Sequence, residues 1–155
     1  MPERPLRADD ALAIGWALAQ AEAGAAKGEV PVGAVVVREG RIIAEAHNET
    51  VERRDPTAHA ELLAVQRALA AADTDRLSDA TLYVTLEPCA QCAGAIVLAK
   101  VGRVVFGAYD DKAGMAGSVG DLLRHAALNH RSEVIGGVLA ESCGAPLRRF
   151  FAERR

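Results

Sequence analysis

The sequence predicts a single α/β domain over residues 1–155, in which helices cover both faces of a five-stranded mixed sheet. Segments with helical periodicity alternate with short apolar segments along the chain, which favours a layered α/β architecture. No internal repeat, low-complexity tract or linker interrupts this alternation. A chain of 155 residues also buries roughly 68–70% of its unfolded surface, so we expect it to fold without disulfides.

The first part of the chain predicts a helix followed by a hairpin. Apolar residues recur there at steps of three and four, after Asp9 and Asp10, which can cap a helix. The almost continuously apolar segment PVGAVVV is typical of a strand covered on both faces. Glu39 and Gly40 then turn the chain into a second strand, RIIAEAHN. The apolar residues of the helix are Ala11, Ile14, Leu18, Ala21 and Ala25.

Three further apolar segments predict the remaining strands. In chain order they are ATLYVTL, RVVFGA and VIGGVLA. We expect additional helices in the stretch near Leu122 and in the tail from Ala145. With the hairpin, these segments complete the five strands.

Two helices are expected in the middle of the chain. Asp55 followed by Pro56 is typical of a cap and a first helical residue, and this helix should extend to about Ala72. The segment from Cys89 to Lys100 predicts the second helix, which stops near Gly102.

Composition excludes several classes of protein. With 50% hydrophobic and 25% charged residues, the chain is ordinary for a globular protein and too apolar for disorder. The polar start MPERPLRADD does not fit a signal peptide, and no run approaches the ~18 apolar residues of a membrane span. Three cysteines, two of them in a metal-type pair, favour a reducing compartment over a secreted disulfide scaffold. We therefore expect a cytoplasmic protein that makes no membrane contact.

The net charge of −3 provides no global basic surface for nucleic acid. Any polynucleotide contact must therefore use a local patch. Candidates are Arg53 with Arg54, Lys112, and the tail LRRFFAERR, in which four arginines fall within eight residues. The alternative interpretation is that these are solvated helix and loop charges.

The segment EPCAQC indicates a metal site with an open coordination position. Cys89 and Cys92 have the spacing of two thiolates on one metal, but the chain has no second cysteine pair. In the segment DPTAHAE, His59 lies at the start of a predicted helix and supplies a third ligand. Three protein ligands leave the fourth position of zinc for water, and this arrangement is typical of catalytic sites. The zinc lowers the pKa of that water toward ~7.

Glu61 is the expected proton acceptor for this water because it follows His59 by two residues. The alternative is that Glu61 only orients a metal ligand. Three other histidines lack metal-ligand spacing, and Cys143 is expected to be a packed thiol. Those histidines are His47, His125 and His130.

The sequence HAE followed by EPCAQCAGAI resembles the zinc-dependent nucleobase deaminases. Nearly the whole chain is similar to one branch, the bacterial tRNA-specific adenosine deaminases. The ordered segments that carry this resemblance are GEVPVGAVVV, HN, DPTAHAE, LEPCAQCAGAI, RVVFGAYDDKAGMAGS, LNHRSEV and the final FF with its arginines.

This resemblance implies a three-layer α/β/α fold like that of the cytidine deaminases, with a five-stranded mixed sheet between helices. It implies a homodimer with one zinc ion per chain. The expected reaction converts adenosine to inosine at the wobble position of a tRNA anticodon stem-loop, chiefly that of an arginine tRNA.

The resemblance also implies roles for individual residues. The family's zinc ligands fall on His59, Cys89 and Cys92, and its general acid and base falls on Glu61. The residues that contact substrate fall on three further positions. These are Asn48 on the target base, Val30 lining the base pocket and Asp110 on the anticodon-loop backbone.

Two residues depart from the family pattern. Gln91 stands where relatives usually have methionine, and Tyr109 stands where a basic residue is common. Gln91 is expected to alter packing beneath the site. Tyr109 would replace a charge contact with base stacking, so both residues bear on substrate preference.

Two other functions remain open from the sequence. A free-base or nucleoside deaminase, such as a guanine deaminase, shares the zinc core and DPTAHAE. The segment DDKAGMAGS and the arginine-bearing tail disfavour it, because a small ligand needs no extended basic edge. A non-catalytic zinc-stabilised RNA-binding module is disfavoured by the three-ligand site and by Glu61, since a purely structural zinc site should be closed.

Overall fold

The computed structural model describes residues 6–154. The first five residues, which begin the polar start discussed above, and Arg155 of the tail lie outside the described residues. No helix within the described range is both long and apolar enough to cross a membrane. The elements are α1 (Leu6–Ala25), β1 (Gly33–Arg38), β2 (Arg41–His47), α2 (Ala60–Ala72), β3 (Ala80–Leu86), α3 (Ala90–Leu98), β4 (Arg103–Ala108), β5 (Glu133–Ile135) and α4 (Ala140–Glu153).

The strand order brings four strand termini to one edge of the sheet. The order is β2-β1-β3-β4-β5, with β1 antiparallel to both β2 and β3, whereas β3, β4 and β5 run parallel. The end of β2, the start of β1 and the ends of β3 and β4 therefore lie together. Gly33 pairs with His47 at this edge and Leu86 pairs with Ala108. We call it the upper edge.

Helices cover both faces of the sheet because successive strand residues point to opposite sides. Val84 and Phe106 pack with residues of α2 and α3 in the larger core cluster. Tyr83 and Val105 pack with residues of α1 and α4 in a second cluster. The predicted three-layer α/β/α architecture with a five-stranded mixed sheet is thus confirmed.

Helix α2 begins at Ala60, so the predicted start at Asp55 and Pro56 was wrong. The Asp55 carboxylate accepts hydrogen bonds from the Thr57 amide at 2.8 Å and from its hydroxyl at 2.7 Å. This local turn satisfies the backbone without a helix. His59 becomes the residue that caps α2.

Helix α3 matches its prediction to within two residues at each end. Cys89 is its N-cap residue, and the chain leaves the helix through Lys100, whose φ is 60°. Gly102 then leads into β4.

The expected helix near Leu122 is absent from the described chain. The Asp121 carboxylate accepts the Arg124 amide at 3.2 Å and pairs with the Arg124 guanidinium at 2.7 Å. Gly117, with a φ of 133°, adds a conformation that a helix excludes. The side-chain hydrogen bonds of a turn therefore stabilise this loop in place of a helix.

The last strand is shorter than predicted, and the tail helix begins earlier than predicted. Strand β5 ends at Ile135, because Gly137 adopts a φ of 85° and breaks the extended backbone. Helix α4 begins at Ala140, five residues before the predicted Ala145. It continues through Pro146.

Candidate active site

The residues expected to bind metal and substrate converge at the upper edge. Asn48 follows β2, Val30 precedes β1, and the segment containing Cys89 follows β3. Asp110 lies two residues beyond the end of β4. The antiparallel placement of β1 between β2 and β3 brings these otherwise distant segments together.

Three candidate metal ligands form a compact group. The imidazole Nδ1 of His59 lies 3.5 Å from the Cys89 Sγ and 3.5 Å from the Cys92 Sγ. All three ligand atoms lie within 4.8 Å of one another. Tetrahedral zinc with Zn–S near 2.3 Å and Zn–N near 2.0 Å separates sulfur from nitrogen by about 3.5 Å. The geometry and the donor set therefore fit zinc.

The cysteine pair is poised to carry negative charge. Hydrogen bonds from Cys92 and His59 lower the pKa of the Cys89 thiol to about 3. The hydrogen bond to Cys89, together with burial, raises the pKa of Cys92. The hydrogen bond with Cys89 also raises the pKa of His59 and outweighs the effect of burial. One thiolate thus lies beside a second thiol that a bound cation would deprotonate.

Glu61 is a buried acid in the first turn of α2. Only 5% of its surface is exposed. Burial raises its pKa to about 7, although the neighbouring His59 opposes this shift. Such a carboxyl group can take up and release protons near neutral pH.

A cavity of about 270 Å³ brings together two of the candidate metal ligands, His59 and Cys89, and the candidate substrate contacts. This volume lies just below the range of roughly 300–1,000 Å³ of drug-sized ligand sites, so it suits a single base. Its lining residues are Val30, Val32, Asn48, Thr50, His59, Glu61, Leu86, Glu87, Cys89, Asp110 and Ala113.

A larger groove of about 860 Å³ adjoins this cavity. The two share Val30, Leu86, Asp110 and Ala113. The far wall of the groove includes the cations Lys112, Arg148 and Arg154 together with Phe151. It thus offers positive charge and an aromatic face beside a base-sized cavity.

Asn48 is fixed by its neighbour in α2. Its side-chain oxygen accepts a hydrogen bond from the Ala60 amide at 2.8 Å. The NH₂ group of Asn48 lies on the other branch of the amide and remains available to a ligand as a donor. Because the oxygen already accepts the Ala60 amide, Asn48 is better placed to donate a hydrogen bond to a ligand than to accept one.

Asp110 shapes its own loop. Its carboxylate accepts the Lys112 amide at 3.0 Å and the Ala113 amide at 3.2 Å. Val30 is partly buried against the larger core cluster. The residues predicted to contact substrate therefore have defined places in the cavity wall.

Sequence reasoning missed Glu29 and Glu87, two buried acids beside the cavity. Glu87 directly precedes Pro88 and the metal-type cysteine pair, and Glu29 directly precedes Val30. The sequence did contain a signal for them. Each is an acidic residue that lies next to an expected site residue inside an otherwise apolar segment. Their contacts are described below.

The two departures from the family pattern lie outside the base-sized cavity. The Gln91 amide donates to the Thr57 carbonyl at 2.9 Å and so links the start of α3 to the turn before α2. Tyr109 packs edge-on against Phe106, with ring centroids 5.0 Å apart. Tyr109 is 56% exposed and borders a groove with Arg148, where a base could stack on it.

The remaining histidines make local hydrogen bonds. His47 donates to the Asn48 carbonyl at 2.8 Å and lies 3.4 Å from the Lys27 ammonium. His130 donates to the Val101 carbonyl, and His125 accepts the Ala127 amide. None of them joins the candidate metal group within the described chain.

Cys143 is buried in α4. Burial raises the pKa of its thiol to about 11. Its side chain packs so closely on Gly107 of β4 that any larger residue there would overlap it. This arrangement fits the packed thiol expected from the sequence.

Comparison with known proteins agrees with this geometry. Residues 9–154 match the family described as MafB19-like deaminase. The tRNA-specific adenosine deaminase of Bacillus subtilis is 50% identical over 146 residues, which cover 94% of this chain and 91% of that protein. The corresponding Haemophilus influenzae protein is 47% identical over 141 residues, covering 90% and 82% of the two chains.

A solved structure from studies of A-to-I editing by tRNA:A34 deaminases at the wobble position superposes with a TM-score of 0.84. It is 38% identical and covers 88% of this chain and 99% of that one. A guanine deaminase from Nitrosomonas europaea superposes with a TM-score of 0.80 at 25% identity, covering 97% and 94%. The chain therefore belongs to the MafB19-like deaminase family and, within the proteins compared, to the tRNA-specific adenosine deaminases.

Proposed function

We propose that this protein hydrolyses adenosine to inosine at the wobble position of a tRNA anticodon. The observation that carries the proposal is the base-sized cavity, whose wall contains His59 and Cys89 of the His-Cys-Cys group, the buried Glu61 carboxyl group and the Asn48 amide. Family membership supports the same reaction, since close relatives are named for it.

His59, Cys89 and Cys92 would hold a single zinc ion. Two thiolates and an imidazole form a donor set that suits zinc, and three ligands leave one position open. When bound, zinc acts as a Lewis acid that makes hydroxide available near neutral pH. The N-termini of α2 and α3 favour the anionic thiolates, because their unpaired amides and dipoles stabilise negative charge.

Glu61 is proposed as the proton shuttle. Its carboxylate accepts a proton from the attacking water and passes it to the ring nitrogen beside the carbon that bears the amine. It then takes the remaining proton from the hydroxyl group that has added to this carbon and delivers it to the amine, so that the carbonyl forms, the C–N bond breaks and ammonia leaves. The buried position of Glu61 and its raised pKa support this role.

Base binding is assigned to the cavity walls. The free NH₂ group of Asn48 would donate to an acceptor on the base edge. Val30 would pack against the ring, and Asp110 would contact the backbone of the anticodon loop. A loop adenosine reaches such a cavity after it is unstacked, at a cost of a few kcal/mol.

The adjoining groove is proposed to hold the flanking nucleotides. Lys112, Arg148 and Arg154 would contact phosphates there, and Phe151 would stack on a base. An anticodon stem-loop, chiefly that of an arginine tRNA, is the expected partner.

Incubation of the purified protein with total tRNA tests the proposal. Nuclease digestion and mass analysis should reveal inosine at the wobble position and ammonia in equal amount. A tRNA pool without new inosine, treated with a protein that holds a full equivalent of zinc, would favour the non-catalytic RNA-binding alternative.

Guanine deamination is a second candidate because a guanine deaminase superposes on this chain with a TM-score of 0.80. The cationic groove beside the cavity favours an RNA substrate over a free base. Ammonia release from free guanine, at a kcat/KM above that for tRNA, would establish the second candidate instead.

We further propose that the protein is a homodimer in the cytoplasm. The family resemblance supports the dimer, and the cysteine usage supports a reducing compartment. Sedimentation equilibrium of the zinc-loaded protein tests the dimer, and fractionation of the cells that produce it tests the location.

A further inference from the structure

Two buried carboxylates near the cavity have no part in the reaction described above. Glu29 precedes Val30 and is 0% exposed, and Glu87 precedes Pro88 and is 1% exposed. Both also lie at the upper edge, on segments that flank strand termini.

Glu87 holds the loop that follows β4. One of its oxygens accepts the Asp110 amide at 3.0 Å and the Ser118 hydroxyl. The other accepts the amides of Ala116 and Ser118, each at 3.0 Å. Four hydrogen bonds therefore connect one carboxylate to both ends of the segment 110–118.

The same loop is packed against Glu87 as well as bonded to it. A side chain at Gly114 would overlap the Glu87 carboxylate. Asp110 and Ala113 of this loop line the base-sized cavity, and Lys112 lines the adjoining groove. The position of these walls consequently depends on Glu87.

Glu29 performs the corresponding task for the loop that follows β2. Its carboxylate accepts the Val51 amide at 3.0 Å, the Glu52 amide at 2.8 Å and the Thr50 hydroxyl at 3.4 Å. Thr50 lines the base-sized cavity. A second wall is thus held by a second buried carboxylate.

The electrostatics fit a positioning role. Within residues 6–154, neither carboxylate forms an ion pair with lysine or arginine. An ionised carboxylate is costly to bury unless hydrogen bonds satisfy it, and hydrogen bonds to a charge are stronger than neutral ones. The four hydrogen bonds from Asp110, Ala116 and Ser118 satisfy both oxygens of Glu87.

We propose that Glu29 and Glu87 are positioning residues that hold the two cavity-wall loops in the geometry that receives the flipped base and its neighbours. This inference rests on the proposed function for its substrate. Neither residue is assigned contact with the reacting atoms.

Isosteric neutral variants provide the first test. Glu87→Gln and Glu29→Gln replace one acceptor oxygen with an NH₂ group that faces backbone donors. Amide hydrogen exchange should become roughly tenfold or more faster in residues 110–118 of Glu87→Gln and in residues 50–52 of Glu29→Gln. Glu39→Gln, in the exposed β1–β2 turn, is the matched control and should leave both loops unchanged.

Steady-state kinetics separate positioning from general support of the fold. In zinc-loaded protein, KM for tRNA should rise roughly tenfold in each variant, while kcat stays within about twofold and metal content remains at one equivalent. Equal loss of kcat and kcat/KM with unchanged KM would overturn the assignment to substrate positioning.

Two variants in the loop itself, of which Ser118→Ala is the milder, keep the test of Glu87 decisive if Glu87→Gln does not fold. Ser118→Ala removes a single hydrogen bond to Glu87, and Gly114→Ala displaces the carboxylate by steric overlap. Both should accelerate exchange in residues 110–118 and raise KM in the same direction. Unchanged exchange in these loops would overturn the inference, whereas a wild-type protein that forms no inosine would overturn only the proposed function.

Discussion

The Ala60 amide donates a hydrogen bond to the Asn48 side-chain oxygen across 2.8 Å, joining the end of β2 to the first residue of α2. This contact gives Asn48 two tasks. Its oxygen satisfies one of the unpaired amides at the helix start, and its NH₂ group remains for a base. The two tasks can be separated by substitution.

Asn48→Asp keeps the acceptor and removes the donor, whereas Asn48→Ala removes both. Asn48→Ala should lower the free energy of unfolding by about 1–2 kcal/mol, because the buried Ala60 amide loses its partner. Asn48→Asp should stay within about 0.5 kcal/mol of wild type. Both variants should lose turnover on tRNA. Urea unfolding and inosine assays measure the two effects, and full turnover in Asn48→Asp would remove the NH₂ group from base binding.

Glu61→Ala should retain metal and lose turnover. General acid and base catalysis contributes roughly 10²–10⁴-fold, so kcat should fall by at least this amount. Elemental analysis and single-turnover inosine formation measure the two quantities. Glu39→Ala, in an exposed turn, is the control and should keep both. Activity retained in Glu61→Ala would end its assignment as the proton shuttle.

Glu61 should also make the stability of the metal-free protein depend on pH. Burial raises its pKa from 4.5 to about 7, so the folded state binds this proton more tightly than the unfolded chain does. The stabilising contribution of the protonated Glu61 is fully present below pH 4.5. It is lost as the pH rises through about 7, so the free energy of unfolding should fall by on the order of 3 kcal/mol. Glu61→Gln should lack this decline and exceed wild type in stability at pH 8. Parallel pH profiles of urea unfolding for the two proteins would contradict the prediction.

Loss of either candidate thiolate ligand should lower metal content and stability together. Metal binding to the folded state contributes to the free energy of folding, so Cys89→Ala and Cys92→Ala should bind less than one equivalent and melt at lower temperature. Cys143→Ala is the matched control, because this buried thiol lies outside the ligand group and its loss should leave metal content intact. A full equivalent of zinc in Cys92→Ala would exclude it as a ligand.

Charge reversal in α4 and the two residues that follow it should weaken tRNA binding more than it slows chemistry. The variant changes Arg148, Arg149, Arg154 and Arg155 to glutamate. KM should rise while kcat changes little. In a plot of log tRNA affinity against log salt concentration, the magnitude of the slope should decrease by up to about 3. Arg76→Glu, before the start of β3 and thus at the end opposite the cavity, is the control. An unchanged salt slope would remove the tail from the RNA footprint.

Local spacing was sufficient to predict much of the site. Cys89 and Cys92 fall on one turn of a helix because residues three apart share a helical face. Their number, with no second cysteine pair, indicated an open metal site. The place of His59 at the start of a predicted helix, with Glu61 two residues on, made them the expected ligand and proton acceptor, and the resemblance to deaminases implies the same roles. The described geometry agrees, since the imidazole lies 3.5 Å from each sulfur.

Predictions that depended on competing local conformations were less successful. Asp55 followed by Pro56 is compatible with both a helix start and a turn, and the hydrogen bonds from Thr57 favour the turn. The same competition removed the expected helix near Leu122, where Asp121 closes a turn on Arg124. Sequence propensity does not choose between such near-equal alternatives, because the rest of the fold decides which hydrogen bonds are available.

The sequence by itself therefore determined the candidate metal ligands, the apolar strands and the family, because these depend on short spacings and on ordered motifs. Only the tertiary structure decided which segments meet. By running antiparallel to β2 and β3, β1 brings Val30, Asn48 and Cys89 to one edge of the sheet. The contacts of the buried Glu29 and Glu87 also depend on this tertiary arrangement. Their hydrogen-bond partners lie about twenty to thirty residues away along the chain, so the sequence does not show that they are neighbours.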